Sequence, residues 1–420
     1  MRRLPANGRR FGALGHRDFA LLWWGQAVSQ LGNGVYTIAL ALATLQVDNR
    51  PSALAIVLAA RVVPTTLLVL IGGAAADRIP RRLAMVGSDI VRGSVVAVVA
   101  VLIAAGQARL WTLVLLSVVF GIGDSFFAPA ANSILPELLP EDLMQQGNAL
   151  NTTSVQFAQG LIGPSVGGVM VGVLGVAWSF GIDAATYAAS IGCLIAMSAT
   201  AKRTASGRSL LADAVAGLRY IAGRRWLYLT ILGAGTANLV GFAPFAVLVP
   251  LLVRRDLHGG GIALGLVTGA GGAGGVVAGV IAARLARPRR RILVMWSSWA
   301  ITGVAALAQA IAGSTWLVGG LNAAVLGFTA YGDVLVFGLI QSEVPKEMLG
   351  RTFSVVRLLA VGFTPIGTVG AGFLANAIGV RPTLAACAAA YLIPALVVFV
   401  PGAQQPDMPA VAVSDTACGQ

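Results

Sequence analysis

Long apolar runs alternate with short polar segments along the whole of this 420-residue chain. Each run has about 20 residues, enough for a helix to cross the roughly 30 Å hydrocarbon core of a bilayer. The pattern predicts an all-α polytopic membrane protein with twelve transmembrane helices. The predicted spans are 19–46, 52–76, 83–105, 110–134, 149–173, 176–199, 226–253, 262–285, 292–312, 315–341, 352–376 and 381–401.

The composition supports this interpretation and excludes several classes of protein. Hydrophobic residues make up 57% of the chain and charged residues only 11%, more apolar surface than a soluble protein of this size can bury. Cys193 and Cys387 fall in spans and Cys418 near the end, so we expect no disulfide framework. The sequence contains no phosphate-binding Walker loop, metal-ligand cluster or plausible catalytic triad. We therefore expect no enzyme, no cofactor and no bound metal.

The net charge of +13 is unevenly distributed. Most basic residues lie before span 1 and in the segments that follow even-numbered spans. This bias predicts that both termini are cytoplasmic and that the chain is a multi-pass protein of a cell (inner or plasma) membrane. The charge then indicates orientation and attraction to anionic lipid, not nucleic-acid binding. Arginine far outnumbers lysine, a composition typical of a bacterial chain.

The two halves of the chain repeat one design. Gly123-Asp124 in span 4 recurs as Gly332-Asp333 in span 10, and Pro164 in span 5 recurs as Pro365 in span 11. We expect two pseudo-symmetric six-helix bundles with a site between them, as in many transporters. The predicted domains are a basic cytoplasmic N-terminus (1–18), an N-terminal bundle (19–199), an amphipathic cytoplasmic linker (200–225), a C-terminal bundle (226–401) and a disordered cytoplasmic tail (402–420).

A charged loop separates spans 2 and 3. Residues 72–82 read GGAAADRIPRR, that is, G-x-x-x-D-R-x-P-R-R from Gly73. This resembles the helix 2–3 loop of the major facilitator superfamily, G-x-x-x-D-R-x-G-R-R/K, with Pro80 in place of the customary glycine. The resemblance implies a secondary transporter whose loop latches one of two conformations. The implied gating residues are Gly73, Asp77, Arg78, Arg81 and Arg82.

Span 5 contains GLIGPSVGGVM, in which Pro164 removes a backbone donor and the flanking glycines permit close packing. It resembles the G-P-x-x-G-G motif of antiporters in the superfamily, and this implies export in exchange for protons. The alternative is ordinary helix packing, since glycine and proline are common in membrane helices. The residues of this antiporter kink are Gly163, Pro164, Gly167 and Gly168.

Two acids in spans are candidates for proton coupling. Asp124 lies near the predicted middle of span 4, where a charged side chain is costly and usually functional. Asp333 is its counterpart in span 10. The alternative for Asp124 is a structural acid, permanently paired with a base or capping a backbone break. Asp89 and Arg92 in span 3 are spaced i, i+3, which predicts a structural pair on one helix face.

Polar and aromatic side chains of spans 1 and 4 are candidates for binding substrate. Span 1 resembles the S-x-x-G-D segment of drug-efflux members, but Asn33 stands where many relatives have Asp and cannot titrate. Hydrogen bonding between helices is an equal alternative for these polar groups. The candidates are Gln26, Gln30, Asn33, Tyr36, Phe126 and Phe127.

The resemblance extends over residues 14–401. PELLPEDLMQQGNALN after span 4, GPSVGG and VPKEMLGR are similar to the macrolide-efflux and enterobactin-exporter branch of the superfamily. It implies a monomeric antiporter that exports amphipathic drug-like or antibiotic-like compounds by alternating access, with a small-molecule substrate, protons and membrane lipid as partners. The alternatives are export of an endogenous metabolite or siderophore and, in another class, a non-transporting membrane sensor or scaffold.

Overall fold

The computed structural model describes residues 12–76, 80–198, 218–285 and 288–399, and within these ranges all regular structure is helical. A single 3₁₀ turn, Gly12–Gly15, precedes the first long helix. The N-terminal half has six long helices: α1 (Arg17–Val47), α2 (Pro51–Ala76), α3 (Arg81–Ala104), α4 (Leu110–Leu138), α5 (Glu141–Leu174) and α6 (Val176–Ala196).

The C-terminal half repeats the arrangement with one difference. Eleven of the helices in the described residues are long and apolar enough to cross a membrane. The expected span at 352–376 is instead divided at Phe363 into two shorter helices. The elements are α7 (Arg225–Asp256), α8 (Gly261–Arg284), α9 (Arg291–Ile311), α10 (Thr315–Glu343), α11a (Lys346–Gly362), α11b (Thr364–Ile378) and α12 (Val380–Leu392, continued by a 3₁₀ segment, Ile393–Phe399).

Parts of the predicted linker and all of the predicted tail lie outside the described residues. Within 200–225 the structure describes 218–225, of which 218–222 are helical and Arg225 begins α7. The predicted amphipathic character of the linker therefore stays a prediction.

Equivalent junctions in the two halves support the internal repeat. A single glycine joins α5 to α6 and another joins α11b to α12: Gly175 at φ 86° and Gly379 at φ 92°. Side chains other than hydrogen disfavour these dihedrals, so glycine permits the abrupt reversal without strain. The same turn chemistry at matching places is what two related bundles require.

The Gly-Pro motif of α5 follows a local change of helix type. Residues Gln156–Ile162 wind as a π-helix, and the Gly163 N–H bonds to the Ala158 carbonyl, five residues back. Pro164 cannot donate the next bond, so the widened turn accommodates its ring. Gly163 packs directly on Gly34 of α1, where a Cβ would lie 2.6 Å from the Gly163 Cα.

The two halves meet at one end of the bundle, which we call the Ser52 end. The Asn376 amide donates to the Ser52 hydroxyl at 2.7 Å, joining α2 to α11b. On the other flank, α5 and α8 pack backbone to backbone: a Cβ on Gly168 would lie 2.5 Å from the Gly265 Cα, and one on Gly272 would lie 1.8 Å from the Gly160 carbonyl oxygen.

The opposite end, which we call the Arg81 end, holds each half together separately. Arg81, the first residue of α3, forms an ion pair with Glu137 on α4. Arg291, the first residue of α9, pairs with Glu343 on α10 at 2.9 Å. Gly279 lies seven residues beyond Gly272 on α8, and thus on nearly the same face, yet a Cβ there would meet open space. The halves touch at the Ser52 end and separate toward the Arg81 end.

Candidate proton and substrate site

A buried arginine between two carboxylates forms the centre of the N-terminal half. Arg92 on α3 pairs with Asp89, one turn earlier, and with Asp124 of α4 at 3.0 Å. The Arg92 side chain is 2% exposed and Asp89 is fully buried, whereas the Asp124 side chain is 31% exposed. One fixed positive charge thus serves two acids, so the cluster carries an excess negative charge when both acids are ionised.

Small residues beside the charged ones bring these helices together. A Cβ on Gly123, adjacent to Asp124, would lie 3.1 Å from the Arg92 Cγ. A Cβ on Gly93, adjacent to Arg92, would lie 2.9 Å from the Tyr187 Cβ on α6. Larger side chains would hold α3 away from both neighbours and lengthen the ion pair.

Aromatic rings and a hydroxyl complete the surroundings of the guanidinium. Its carbon lies 4.2 Å from the centre of the Phe127 ring and 5.1 Å from that of Tyr187, both within range of a cation–π attraction. The Ser190 hydroxyl donates to the Asp89 carboxylate at 2.7 Å. The predicted Asp89–Arg92 pair is confirmed, and two other helices hold it in place: Asp124 and Phe127 belong to α4, Tyr187 and Ser190 to α6.

A chain of hydrogen bonds leads from this cluster toward α5. The Tyr187 hydroxyl donates to the Asn33 side-chain carbonyl at 2.8 Å, and the Asn33 amide donates to Gln30 at 2.9 Å. The exposed Gln159, next to the interhalf contact at Gly160, donates to the same Gln30 oxygen. A polar path thus runs from the buried arginine to a surface beside the junction of the two halves.

The other predicted substrate residues differ in exposure. Gln26 is buried on α1, and Phe126 is half-buried. Phe127 is 4% exposed against Arg92, and Tyr36 is 1% exposed, stacked on Phe120 at 4.6 Å. In this conformation Gln30 and Phe126 retain open surface, whereas Gln26, Tyr36 and Phe127 are covered.

The second predicted coupling acid has a different environment. Asp333 is half-buried on α10, and none of the described side chains forms an ion pair with it. Its neighbour Gly332 packs on the Trp299 ring, where a Cβ would lie 2.3 Å from the indole nitrogen. The sequence repeat therefore places Asp124 and Asp333 on equivalent helices without giving them equivalent partners.

The gating residues are described in part. Gly73 lies in α2, whereas Asp77 and Arg78 lie outside the described residues. The Arg82 guanidinium donates to the last carbonyls of α6, at 2.6 Å to the Leu194 oxygen. The carboxyl end of a helix carries a partial negative charge, which favours a cation at this place. Arg81 donates to the Ser133 carbonyl at 2.6 Å besides pairing with Glu137.

Sequence reasoning missed two acids that the structure makes prominent. Glu137, the partner of Arg81, belongs to the segment PELLPEDLMQQGNALN, which indicated only a family resemblance. Asp183 in span 6 is fully buried. The signal that would have found it is the one that found Asp124, an isolated acid in an apolar run.

An apolar groove of about 830 Å³ lies elsewhere, between α5, α8 and α10 at the flank where the halves join. Leu161, Leu266 and Trp316 are among its lining residues, but none of the predicted coupling or substrate residues is. Its walls offer surface to acyl chains and no titratable group, so we do not assign proton chemistry to it.

The profile of a family described as transmembrane secretion effector matches residues 9–415, nearly the whole chain. The chain belongs to this family of major facilitator transporters. It is an efflux transporter and not an enzyme, with relatives of bacterial origin.

Relatives of known name agree with the family over most of their length. The multidrug efflux pump Tap of Mycolicibacterium fortuitum is 27% identical over 391 residues, covering 90% of this chain and 94% of that protein. Macrolide efflux protein A of Streptococcus pyogenes is 22% identical over 372 residues, covering 86% of this chain and 90% of that one.

Solved structures show the same fold at lower identity. A bacterial homologue of the iron transporter ferroportin, in an inward-facing state, has a TM-score of 0.72 at 16% identity and covers 92% of this chain and 98% of its own. A bacterial homologue of the human lysosomal transporter Spinster, inward-facing and unoccupied, has a TM-score of 0.67 at 14% identity and covers 97% and 100%. At these identities the likeness concerns the fold alone.

Proposed function

We propose that this transporter exports amphipathic small organic compounds, of drug-like or antibiotic-like chemistry, in exchange for protons. Its relatives include a multidrug pump and a macrolide efflux protein, which supports this substrate class. The two halves rock about the site between them, so that it opens to one side of the membrane at a time.

The observation that carries the proton coupling is the cluster of Asp89, Arg92 and Asp124. Two carboxylates and one guanidinium leave an excess negative charge inside the membrane, and binding one proton neutralises it. Asp124 is the acid that retains exposed surface, so it takes up the proton. Its neutral form binds Arg92 more weakly, and this loosens the tie between α3 and α4.

The substrate binds beside the polar path that ends at Gln30. The side-chain amides along this path and the Phe126 ring suit a compound that is apolar over most of its surface and carries a few polar groups. Asn33 cannot titrate, which leaves coupling to the acids. The proposed substrate residues are Gln26, Gln30, Asn33, Tyr36, Phe126 and Phe127.

The basic loops give the orientation of this cycle. With both termini in the cytoplasm, the Ser52 end faces outside and the Arg81 end faces the cytoplasm. The conformation described here then receives substrate from the cytoplasm. Proton entry from outside follows once the halves have rocked to the opposite state.

The test is transport of a radiolabelled macrolide by the full chain in proteoliposomes with an imposed pH gradient. Asp124→Asn keeps size and hydrogen bonding but cannot titrate, so gradient-driven accumulation falls by at least about tenfold per pH unit. Asp333→Asn gives a smaller loss. Exchange of labelled for unlabelled macrolide without a gradient survives in both variants.

The matched control is Asp142→Asn, an exposed acid at the start of α5 that should transport as wild type does. Undiminished accumulation by Asp124→Asn would contradict the assignment. No transport of any compound by the wild-type protein would favour a sensor or scaffold, and transport confined to a cellular metabolite would favour endogenous export.

A further inference from the structure

Asp183 of α6 occupies a slot at the interface with α1. Asp183 is fully buried. A Cβ on Gly32 of α1 would lie 2.1 Å from the Asp183 Oδ1 atom and 2.3 Å from the Thr186 hydroxyl oxygen. Any larger residue at position 32 would collide with the carboxyl group, so glycine here makes room for an acid between two membrane helices.

The carboxyl group has few partners in that slot. The Thr186 hydroxyl lies 3.3 Å from Oδ1, within hydrogen-bond distance. Oδ2 is buried and has no hydrogen-bond partner among the described residues, and none of the described basic groups forms an ion pair with Asp183. An ionised carboxylate in such a place is far more costly than the neutral acid, which is the form that this slot accommodates.

Two arginines and two tyrosines face Asp183 from the helices around it: Arg61 on α2, Arg92 on α3, Tyr36 on α1 and Tyr187 on α6 itself. Arg61 lies over the Tyr36 ring, 5.1 Å from its centre, and Arg92 is engaged by its own two carboxylates. The adjoining part of α5, residues 163–174, contains no titratable side chain. Arg92 is thus engaged by other carboxylates, and Arg61 stacks on aromatic rings without forming an ion pair with Asp183.

We propose that Asp183 is a second proton-binding residue of the transport cycle, acting beside Asp124. This inference rests on the proposed antiport. A proton from water on one side binds a carboxylate oxygen when movement of α6 against α1 opens the slot, and it leaves to water on the other side when the halves rock back. Each exported molecule is then exchanged for two protons.

The experiment measures the steady-state macrolide gradient in proteoliposomes against the imposed pH gradient, with the membrane potential clamped at zero. Each exchanged proton supports about a tenfold substrate gradient per pH unit. The logarithm of the substrate ratio should therefore rise with a slope of two for wild type and of one for Asp183→Asn. Ser179→Ala, a buried polar residue one turn earlier on α6, is the control and should keep a slope of two.

Asp124→Asn provides an independent arm, because Asp183 still binds its proton in that variant and the slope should be one. A slope of two for Asp183→Asn, or of zero for Asp124→Asn with exchange intact, overturns the role of Asp183. A wild-type slope of one also overturns it but leaves antiport standing. A wild-type slope of zero refutes antiport itself.

Discussion

The backbone contact between Gly272 and Gly160 gives a sharp test of how the halves move. Gly272→Ala adds one methyl group that would lie 1.8 Å from the Gly160 carbonyl oxygen and 2.3 Å from its carbonyl carbon. Both are backbone atoms, which cannot turn aside as a side chain could. The substitution should therefore separate α8 from α5 at the place where the two halves join.

The expected size of the effect follows from the overlap. A carbon atom approaches a carbonyl oxygen to roughly 3.3 Å, so the helices must part by about 1.5 Å. Overpacking of this kind costs about 1–3 kcal/mol, or about 5- to 150-fold in the equilibrium between two states. The state closed at the Ser52 end should lose population by that factor. Macrolide exchange should slow because one of the two alternating states becomes rare.

Distances between paired spin labels report the populations in proteoliposomes. One pair, at Asn49 and Ile378, spans the Ser52 end, and another, at Glu141 and Gln341, spans the Arg81 end; all four positions are exposed. Gly272→Ala should lengthen the first distance and shorten the second.

Gly279→Ala is the matched control, since its methyl group meets open space in this conformation. It should leave the closed Ser52 end populated as in wild type. If Gly272→Ala gave unchanged distance distributions at both ends, the α5–α8 contact would not be what holds this state together. An equal effect of the two substitutions would point to helix propensity instead.

Three further predictions concern orientation, gating and energy source. A cysteine at Arg255 should react with a membrane-impermeant reagent in intact cells and one at Arg289 should not, and the reverse pattern would invert the proposed topology. Asp77→Asn should slow turnover while leaving expression and macrolide binding intact, and wild-type rates would remove the gating role. Efflux should stop when an uncoupler collapses the proton gradient with ATP kept high, whereas continued efflux would contradict proton coupling.

The hydrophobic pattern predicted the helices well because each span satisfies its own backbone hydrogen bonds and needs only apolar length. The failure at span 11 is local. Phe363 interrupts the helix just before Thr364-Pro365, because Pro365 has no N–H to donate to the carbonyl four residues earlier and begins a new helix instead. The sequence showed the proline but not that the helix on its N-terminal side would end there.

The site was only partly predictable, because its partners come from different helices. Asp89 and Arg92 share one helix, so their spacing sufficed to predict the pair. The bond from Asp124 to Arg92 depends on how α3 packs on α4, and the slot of Asp183 depends on a glycine of α1. Likewise Gly271 and Gly279 lie on the same helix, but a Cβ on Gly271 would contact the Asn322 side chain whereas one on Gly279 would meet open space.

The last helix of the N-terminal half, α6, forms hydrogen bonds with residues of α1 and α3, which precede it in the chain. The Arg17 guanidinium donates to the Ala196 carbonyl at 3.3 Å, Arg82 donates to Leu194, and Ser190 binds the Asp89 of the buried cluster. None of these partners exists until α6 has been synthesised. At roughly 5–20 residues per second, the interval between Arg17 and Leu194 is about 10–35 s. During that time Arg17, Arg82 and Asp89 lack these partners, so the packing of this half is complete only when α6 enters the membrane.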